Sequence, residues 1–356
     1  MKLIFFGDLA APDRDDVNII KKIIEKENIF KDKVVIGNLE GVLTDNKEDM
    51  FQNKNVLYNS PSVIELFNES KKTILSLANN HIKDIPKEFN NTIETLKKNG
   101  ILFSGAMNGN YGELNPCEFK VDDIKVAIFN HCWNVMSKIM KNKSKEIQVE
   151  DESYDEFIKK IKDYKDFNPK TIVIVYFHWN FDFEKLPFPA HRIIAKKLID
   201  NGANIIVGSH SHLVNGGEIY KGKPIIYGLG NFYIPSGKFF NGKLVYPNDS
   251  DTTILLEVDL ESKDYNLYWL KYDRDSKKIY LIKKEKLEQG ELINEYSKYK
   301  EMTQDMYKQY FKKNRTKNKL VPIWYNERNN VLNKIKDNLI LIRMKLFRII
   351  KRIIDK

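Results

Sequence analysis

The sequence predicts an α/β fold built on a largely parallel sheet, with a second sheet and a helical extension following it. Three observations carry this. Before Gly105, short apolar runs alternate with helical patterns, and each run ends in Gly, Asn or Asp or reaches them shortly after. Between Glu218 and Ile282, short apolar runs follow one another with only turn residues between them. From Lys286 the composition shifts to Tyr, Lys, Glu and Asn in helical patterns. Alternating strand and helix is the signature of parallel βαβ units, and successive short strands are that of an antiparallel sheet.

In order, Leu3-Ile4-Phe5-Phe6 reads as a buried strand ending in Gly7-Asp8, and Val17 to Glu27 as a helix with Ile19, Ile20, Ile23 and Ile24 on its apolar side. Val34-Val35-Ile36 is the next strand, running into Gly37-Asn38-Leu39-Glu40-Gly41, and a polar loop continues through Asn55. Pro61 opens a helix to Ser70 with Ser60 as its cap. Thr73 to Leu77 is a strand leading to Ala78-Asn79-Asn80-His81. Phe89 to Lys98 is a helix closed by Asn99-Gly100, and Ile101-Leu102-Phe103 is a short strand.

Phe119 to Val121 and Val126 to Asn130, with Asp122-Asp123 between them, read as a hairpin. The lysine-rich stretch from Trp133 to Asn168 reads as a surface insertion with a helix near Tyr154 to Ile161. Thr171 to Phe177 is the strongest strand and ends in His178-Trp179; a helix from Pro189 to Asp200 stops at Asn201-Gly202. Asn204 to Val207 is a strand, and Gly208 beyond it is placed to let the backbone bend. Glu218 to Tyr220, Pro224 to Tyr227, Thr252 to Val258, Tyr265 to Lys271 and Ile279 to Ile282 are the antiparallel strands. A helical stretch to Lys313, a basic linker over Asn314 to Lys319 and a helix from Val331 to Asp355 complete the chain.

With 356 residues, 42% of them apolar, there is enough material for a large α/β domain plus an appendage. The net charge of +10 is concentrated near the C-terminus and says little about the part that carries the motifs. The two cysteines, Cys117 and Cys132, make neither a disulfide framework nor a CxxC zinc site. No signal peptide is visible and no run approaches the ~18 apolar residues of a membrane span, so the expected compartment is the cytoplasm.

The six histidines direct the functional reading. His210 and His212 form an HxH just past a strand end, and His81, His131 and His178 lie at other strand ends or turns in polar company. In open α/β sheets, ligands bind outside the carboxyl ends of the strands. The candidates there are Asp8, Asn38, Glu40, Asn80, His81, Asp84, His178, His210 and His212. Singly, each also fits a structural role: Asp8 as a turn or cap residue, Glu40 as a solvated acid, Asn80 and His81 in local hydrogen bonds, His178 as a core imidazole. Together, carboxylate, amide and imidazole oxygens and nitrogens without thiolate suit one or two divalent ions of Mn, Fe or Zn. Two such ions ~3.5–4 Å apart clamp the attacking and leaving oxygens of a phosphoryl displacement.

The order Gly7-Asp8, Asn38-Leu39-Glu40, Ala78-Asn79-Asn80-His81 with Asp84, Gly105-Ala106, His178-Trp179, Gly202-Ala203, Gly208 to His212 and Tyr227-Gly-Leu-Gly-Asn231-Phe232 resembles the CapA family of poly-γ-glutamate and capsule-synthesis proteins. The resemblance runs from about Lys2 to Tyr233 and implies a four-layer α/β/β/α metallophosphoesterase sandwich with metals at one edge. It implies Asp8 and His212 on one metal, Asn80, His178 and His210 on the other, and Glu40 bridging them where most relatives use Asp. His81 is then the proton donor over the scissile phosphate, with Asp84 beside it in a catalytic pair, and Asn38, Trp179 and Asn231 contact substrate. Residues 1–285 form the metallophosphoesterase-like domain and 286–356 a basic helical extension. The sequence departs from the phosphoesterase pattern at Ala10, where that pattern has His, and from the family's usual residues at Ser209, Ser211, Asn180, Asp182 and His191.

Two functions follow as expectations. One is a metal-dependent hydrolase acting on a phosphoester or polymer-linked substrate in capsule, poly-γ-glutamate or other envelope-polymer metabolism. The other is a non-catalytic component of a polymer-synthesis complex with a degenerate metal site, which Ala10 favours. In the last helix, Leu332, Ile335, Leu339, Ile342, Leu346, Ile349 and Ile353 form a stripe flanked by Lys334, Lys345, Arg348, Arg352 and Lys356. That helix either docks on the protein's own body, pairs with another chain, or lies on an anionic membrane. No nucleic-acid recognition motif is present, and nucleic acid is not an expected partner.

Overall fold

The structure, a computed structural model, describes residues 1–46, 56–108, 116–139, 147–316, 321–326 and 329–354, with side chains in the last helix described as far as Phe347. Most of the polar loop ending at Asn55, much of the basic linker over Asn314 to Lys319 and the side chains of Arg348, Ile349, Arg352, Ile353 and Lys356 lie outside the described residues.

Two sheets dominate. The first has eight strands, in the order Lys278–Lys286, Tyr265–Asp273, Thr252–Asp259, Lys2–Leu9, Val34–Leu39, Lys72–Ser76 and Leu102–Ser104, with Asn231–Tyr233 also pairing Lys2–Leu9. The second has six, in the order Gly217–Tyr220, Lys223–Ile226, Ile205–Ser209, Ile172–His178, Ile124–Cys132 and Cys117–Val121. Lys2–Leu9, Val34–Leu39, Lys72–Ser76 and Leu102–Ser104 run parallel, as their alternation with helices predicts. The strands after Glu218 do not form a sheet of their own. The pair Gly217–Tyr220 and Lys223–Ile226 extends the second sheet, whereas Thr252–Asp259 turns back to pair antiparallel with Lys2–Leu9 and carries the next two strands onto the first.

Period-two alternation stacks the sheets. Leu3, Phe5, Val34 and Ile36 share a core with Val126, Ile128, Ile174, Tyr176, Ile205 and Val207 of the other sheet. The Tyr176 hydroxyl crosses between the sheets and donates to the Phe6 carbonyl at 2.6 Å. The alternate residues face helices. Ile4, Phe6 and Val35 lie in a core with Val17, Ile20 and Ile24 of the helix Arg14–Lys26, and Phe129, Val175 and Phe177 lie with Phe157, Ile161, Ile194 and Leu198 of the helices Tyr154–Phe167 and Pro189–Asp200. The architecture is therefore a four-layer α/β/β/α sandwich with helical segments after it.

Three local readings change. The stretch after Trp133 is not a surface insertion: Trp133, Val135, Phe157 and Ile161 are buried, and Ser153 and Glu156 form a capping box that starts a helix belonging to the outer layer. Its lysines hide a 3–4 apolar spacing, and each fully buried Phe or Ile contributes about 1.5–3 kcal/mol. The segment opened by Pro61 is a 3₁₀ helix, Pro61–Phe67, capped by the Ser60 hydroxyl as its sequence suggests. The helical stretch after Lys286 breaks into the short turns Leu287–Gln289 and Leu292–Tyr296 and the helix Gln304–Asn314, whose Tyr307 and Phe311 are buried against the body of the sandwich.

The last helix, Asn330–Ile354, departs furthest. Among its described side chains the buried ones are Asn333, Lys336 and Ile340, while Leu332, Ile335, Leu339, Ile342 and Leu346 face outward. No helix among the described residues is long and apolar enough to cross a membrane.

Candidate metal centre

Strand register assembles the site. Asp8 is aligned with Asn38 on one side and Asn231 on the other, and His178 is aligned with Ser209. Asp8, Asn38, His178 and Ser209 lie at the carboxyl ends of parallel strands, and Asn231 opens the short strand beside Asp8, so the two sheets bring their functional edges together. Gly7 permits this closeness, since a Cβ there would meet the Gly230 carbonyl oxygen at 1.9 Å. Gly208 acts in the same way rather than as a bend: a Cβ would lie 2.2 Å from the Tyr227 oxygen and 2.4 Å from the Trp179 indole nitrogen. The left-handed conformations fall instead on the histidines, with φ of 90° at His210 and 60° at His212. Non-glycine residues hold such angles only where surrounding contacts impose them, and such strain gathers at functional sites.

Asp8 and Glu40 are fully buried, and Asn38 holds both, donating to Asp8 Oδ1 at 2.8 Å and Glu40 Oε2 at 3.1 Å. Glu40 Oε1 has no hydrogen-bond partner. Around it stand His178 Nε2 at 3.6 Å and His81 Nε2 at 3.9 Å. His178 Nε2 also meets Asn80 Oδ1 at 2.6 Å, and its Nδ1 meets Ser209 Oγ at 3.1 Å. The buried ring of His210 has no hydrogen-bond partner at either nitrogen, with Nε2 3.4 Å from Asp182 Oδ1. His212 Nδ1 lies 2.8 Å from Asn231 Oδ1 and 3.5 Å from Asp8 Oδ2. His81 Nδ1 lies 2.6 Å from Asp84 Oδ2, an oxygen that also accepts the Leu57 N–H at 3.1 Å.

Burial, and then the neighbouring Asp8 carboxylate, push the Glu40 carboxyl well above its ordinary range. Burial, and then His210, hold the His178 imidazole well below its own, and burial lowers His210 to about 4 despite Asp182. Two buried acids side by side and neutral imidazoles around them form an arrangement that a cation completes. Three overlapping donor sets lie with their atoms within 4.8 Å of one another: Glu40, His178 and His210; Asp8, Glu40 and His212; Asp182, His210 and His212. The orphaned Glu40 oxygen and the unpartnered His210 nitrogens fit a divalent metal, and the oxygen and nitrogen donors fit Mn, Fe or Zn.

The structure thus brings together Asp8, Asn38, Glu40, Asn80, His81, Asp84, His178, His210, His212 and Asn231. It places Trp179 elsewhere: the indole is buried, donates to the Tyr227 carbonyl at 2.8 Å and stacks on Phe177 and His191. Three residues join the site that the expected set omits. Asp182 faces His210 from a half-exposed position. Asn79 donates to Asn38 Oδ1 at 3.1 Å and accepts the His81 N–H at 3.1 Å. Ser209 braces His178. Each was visible as a polar neighbour of a candidate, but its direction depends on the fold.

The family profile described as bacterial capsule synthesis protein PGA_cap matches residues 13–236. The chain belongs to this family. The match takes in every site residue named above except Asp8, which precedes it. Among PGA_cap relatives, the capsule biosynthesis protein CapA of Bacillus anthracis is 30% identical over 209 residues, 57% of this chain and 51% of that protein. The PGA biosynthesis protein CapA of Bacillus subtilis is 28% identical over 218 residues, 59% of this chain and 56% of that protein. The chain spans about half the length of these curated relatives. The solved structure of a putative 5'-nucleotidase from Staphylococcus aureus aligns with 81% of this chain and 54% of its own, at 11% identity and a TM-score of 0.43.

Three residues singled out in the sequence, Asn180, His191 and Ala10, have defined surroundings in the structure. Asn180 takes φ of 77°, a conformation that Gly adopts freely and Asn tolerates. His191 is buried flat against Trp179, their centroids 4.7 Å apart. Ala10 is buried in a small apolar cluster with Leu57, Ile234, Phe239 and Tyr246.

Proposed function

We propose that this PGA_cap protein is a metal-dependent hydrolase acting on a phosphoester or polymer-linked substrate in capsule or related envelope-polymer synthesis. The observation that carries this reading is the pair of buried acids, Asp8 and Glu40, ringed by His178, His210 and His212 with unsatisfied donor atoms facing one another. Glu40 bridges two donor sets; Asn80, His178 and His210 serve one side, and Asp8 and His212 the other. A bound divalent ion supplies Lewis acidity and a water acidified toward neutral pH. The chain's own groups do the rest. Asp84, held by the Leu57 N–H, orients His81 through Nδ1 and supports a proton on the ring. His81 Nε2 then faces the acids and is the atom from which a proton passes to a leaving oxygen. Asn38 and Asn79 lock the acids and the His81 backbone, so little reorganisation accompanies the reaction.

A second reading rests on Ala10. With methyl in place of imidazole, the Asp8 and His212 side has fewer nitrogen donors, which favours a weakly metallated, non-catalytic member of a polymer-synthesis complex. One experiment separates the two: elemental analysis of the purified chain, then a panel of phosphomonoester and phosphodiester substrates with Mn, Fe or Zn. Turnover that His81→Ala abolishes supports the hydrolase. Metal binding without turnover on any substrate supports the accessory role.

A further inference from the structure

The last helix carries apolar side chains on its outward face as well as on the face that meets the body. Its face toward the body mixes Asn333, Lys336 and Asp337 with the buried Ile340 and the partly buried Leu341 and Met344, which pack against the core. Asn333 exchanges two hydrogen bonds with the backbone of Asn326, and Lys336 pairs with Asp337 at 3.1 Å, so polar contacts accompany the apolar ones on this face. The outward face carries the apolar side chains: Ile335 and Leu339 are each 47% exposed, Ile342 55% and Leu346 53%. An amphipathic helix ordinarily turns that stripe inward, and exposed apolar stripes of this kind mark interaction surfaces.

We propose that this stripe is a docking surface for an anionic membrane, on which Asn330–Ile354 lies flat. Charge selects this occupant. At 3.6 residues per turn, Lys334 and Lys345 fall together along one edge of the stripe and Arg343 along the other. Neither lysine belongs to an ion pair among the described residues. The helix sequence contains one acid, Asp337, and it is turned toward the body and paired with Lys336. The same helix of a second copy would bury the stripe equally well, but its one acid, Asp337, is paired with Lys336 and is not offered to the lysine edge. An antiparallel self-pair sets the lysine edge against itself, and a parallel one sets it against Arg343. Anionic headgroups satisfy the lysine edge while the apolar side chains enter the acyl boundary. The surface is independent of the metal centre, and the proposal stands or falls apart from the proposed hydrolysis.

The full chain is sedimented with vesicles of pure phosphatidylcholine and with vesicles containing phosphatidylglycerol. It binds only the anionic vesicles, and binding falls as sodium chloride rises. Ile335→Glu/Ile342→Glu abolishes binding, and Lys334→Gln/Lys345→Gln lowers the partition coefficient about thirty-fold, as expected for two headgroup-facing charges. All four side chains point outward, so both variants keep the parent's thermal midpoint. Failure of the parent to bind anionic vesicles overturns the proposal, as does equal binding by the Ile335→Glu/Ile342→Glu variant. A parent that is dimeric without lipid and becomes monomeric in that variant also overturns it, in favour of a second copy as the occupant.

Discussion

The Oδ2 atom of Asp8 accepts the backbone N–H of His210 at 2.9 Å, across a separation of 202 residues. One residue ends a strand of the first sheet and the other follows a strand of the second, so this bond ties the functional edges of both sheets together. It also holds the HxH in its left-handed conformation and aims the His210 ring at Asp182 and Glu40.

Removing imidazoles should remove metal. His210→Ala takes one donor, and His178→Ala/His210→Ala two, from the set of Glu40, His178 and His210. Loss of outer-shell partners alone costs about 10–100-fold in affinity, and loss of a direct ligand should cost at least as much. Elemental analysis after dialysis checks this; equal metal in the parent and the double variant would falsify the metal centre.

Glu40→Gln separates folding from metal binding. The buried carboxyl is raised by burial and by Asp8, so neutralising it should leave the metal-free protein as stable as the parent or more so. The parent should gain about 2.7 kcal/mol with metal at 100-fold its Kd, and the variant much less. Thermal melts with chelator and with Mn give both numbers.

Ala10→His is expected to harm rather than repair. The methyl group packs among Leu57, Ile234, Phe239 and Tyr246 with no exposure, so an imidazole overfills the cluster at a cost of about 1–3 kcal/mol. A variant with unchanged stability and higher metal occupancy would show that the cluster yields and that the lost ligand can be restored.

If the chain hydrolyses phosphoesters, His81→Ala should lower kcat by about 10²–10⁴ while metal content stays near the parent's. Asp84→Asn should act in the same direction, because it removes the carboxylate that supports a proton on Nδ1. Steady-state kinetics beside elemental analysis distinguishes this from simple loss of metal.

Acid should destabilise the protein through His191 as well as through the site. Burial, and then Lys336, hold His191 well below its ordinary 6.5 in the folded state. Between that depressed value and 6.5 the unfolded chain binds the proton and the folded chain does not, so stability falls as pH drops below 6.5. Denaturant melts of chelated protein at pH 7 and pH 5 should show the loss, and His191→Phe should reduce the difference. An unchanged difference would mean that His191 is not buried in neutral form.

The sequence by itself determined the strands and their polar ends, because continuous apolar runs closed by Gly, Asn and Asp leave few other local structures. It marked the candidate residues for the same reason: Asp8, Asn38, Glu40, Asn80, His81, His178, His210 and His212 each sit just past such a run or at its end. Tertiary structure alone decided what those residues face. Register set Asp8 beside Asn38 and Asn231, and sheet stacking brought the His210 N–H to Asp8. The same packing turned Trp179 into the core and left Asp182 beside His210. The last helix shows the limit most clearly. Periodicity found its apolar stripe, but periodicity fixes only which residues share a face. Which face meets the body was decided by Asn333, Lys336 and Ile340, whose partners lie elsewhere in the chain.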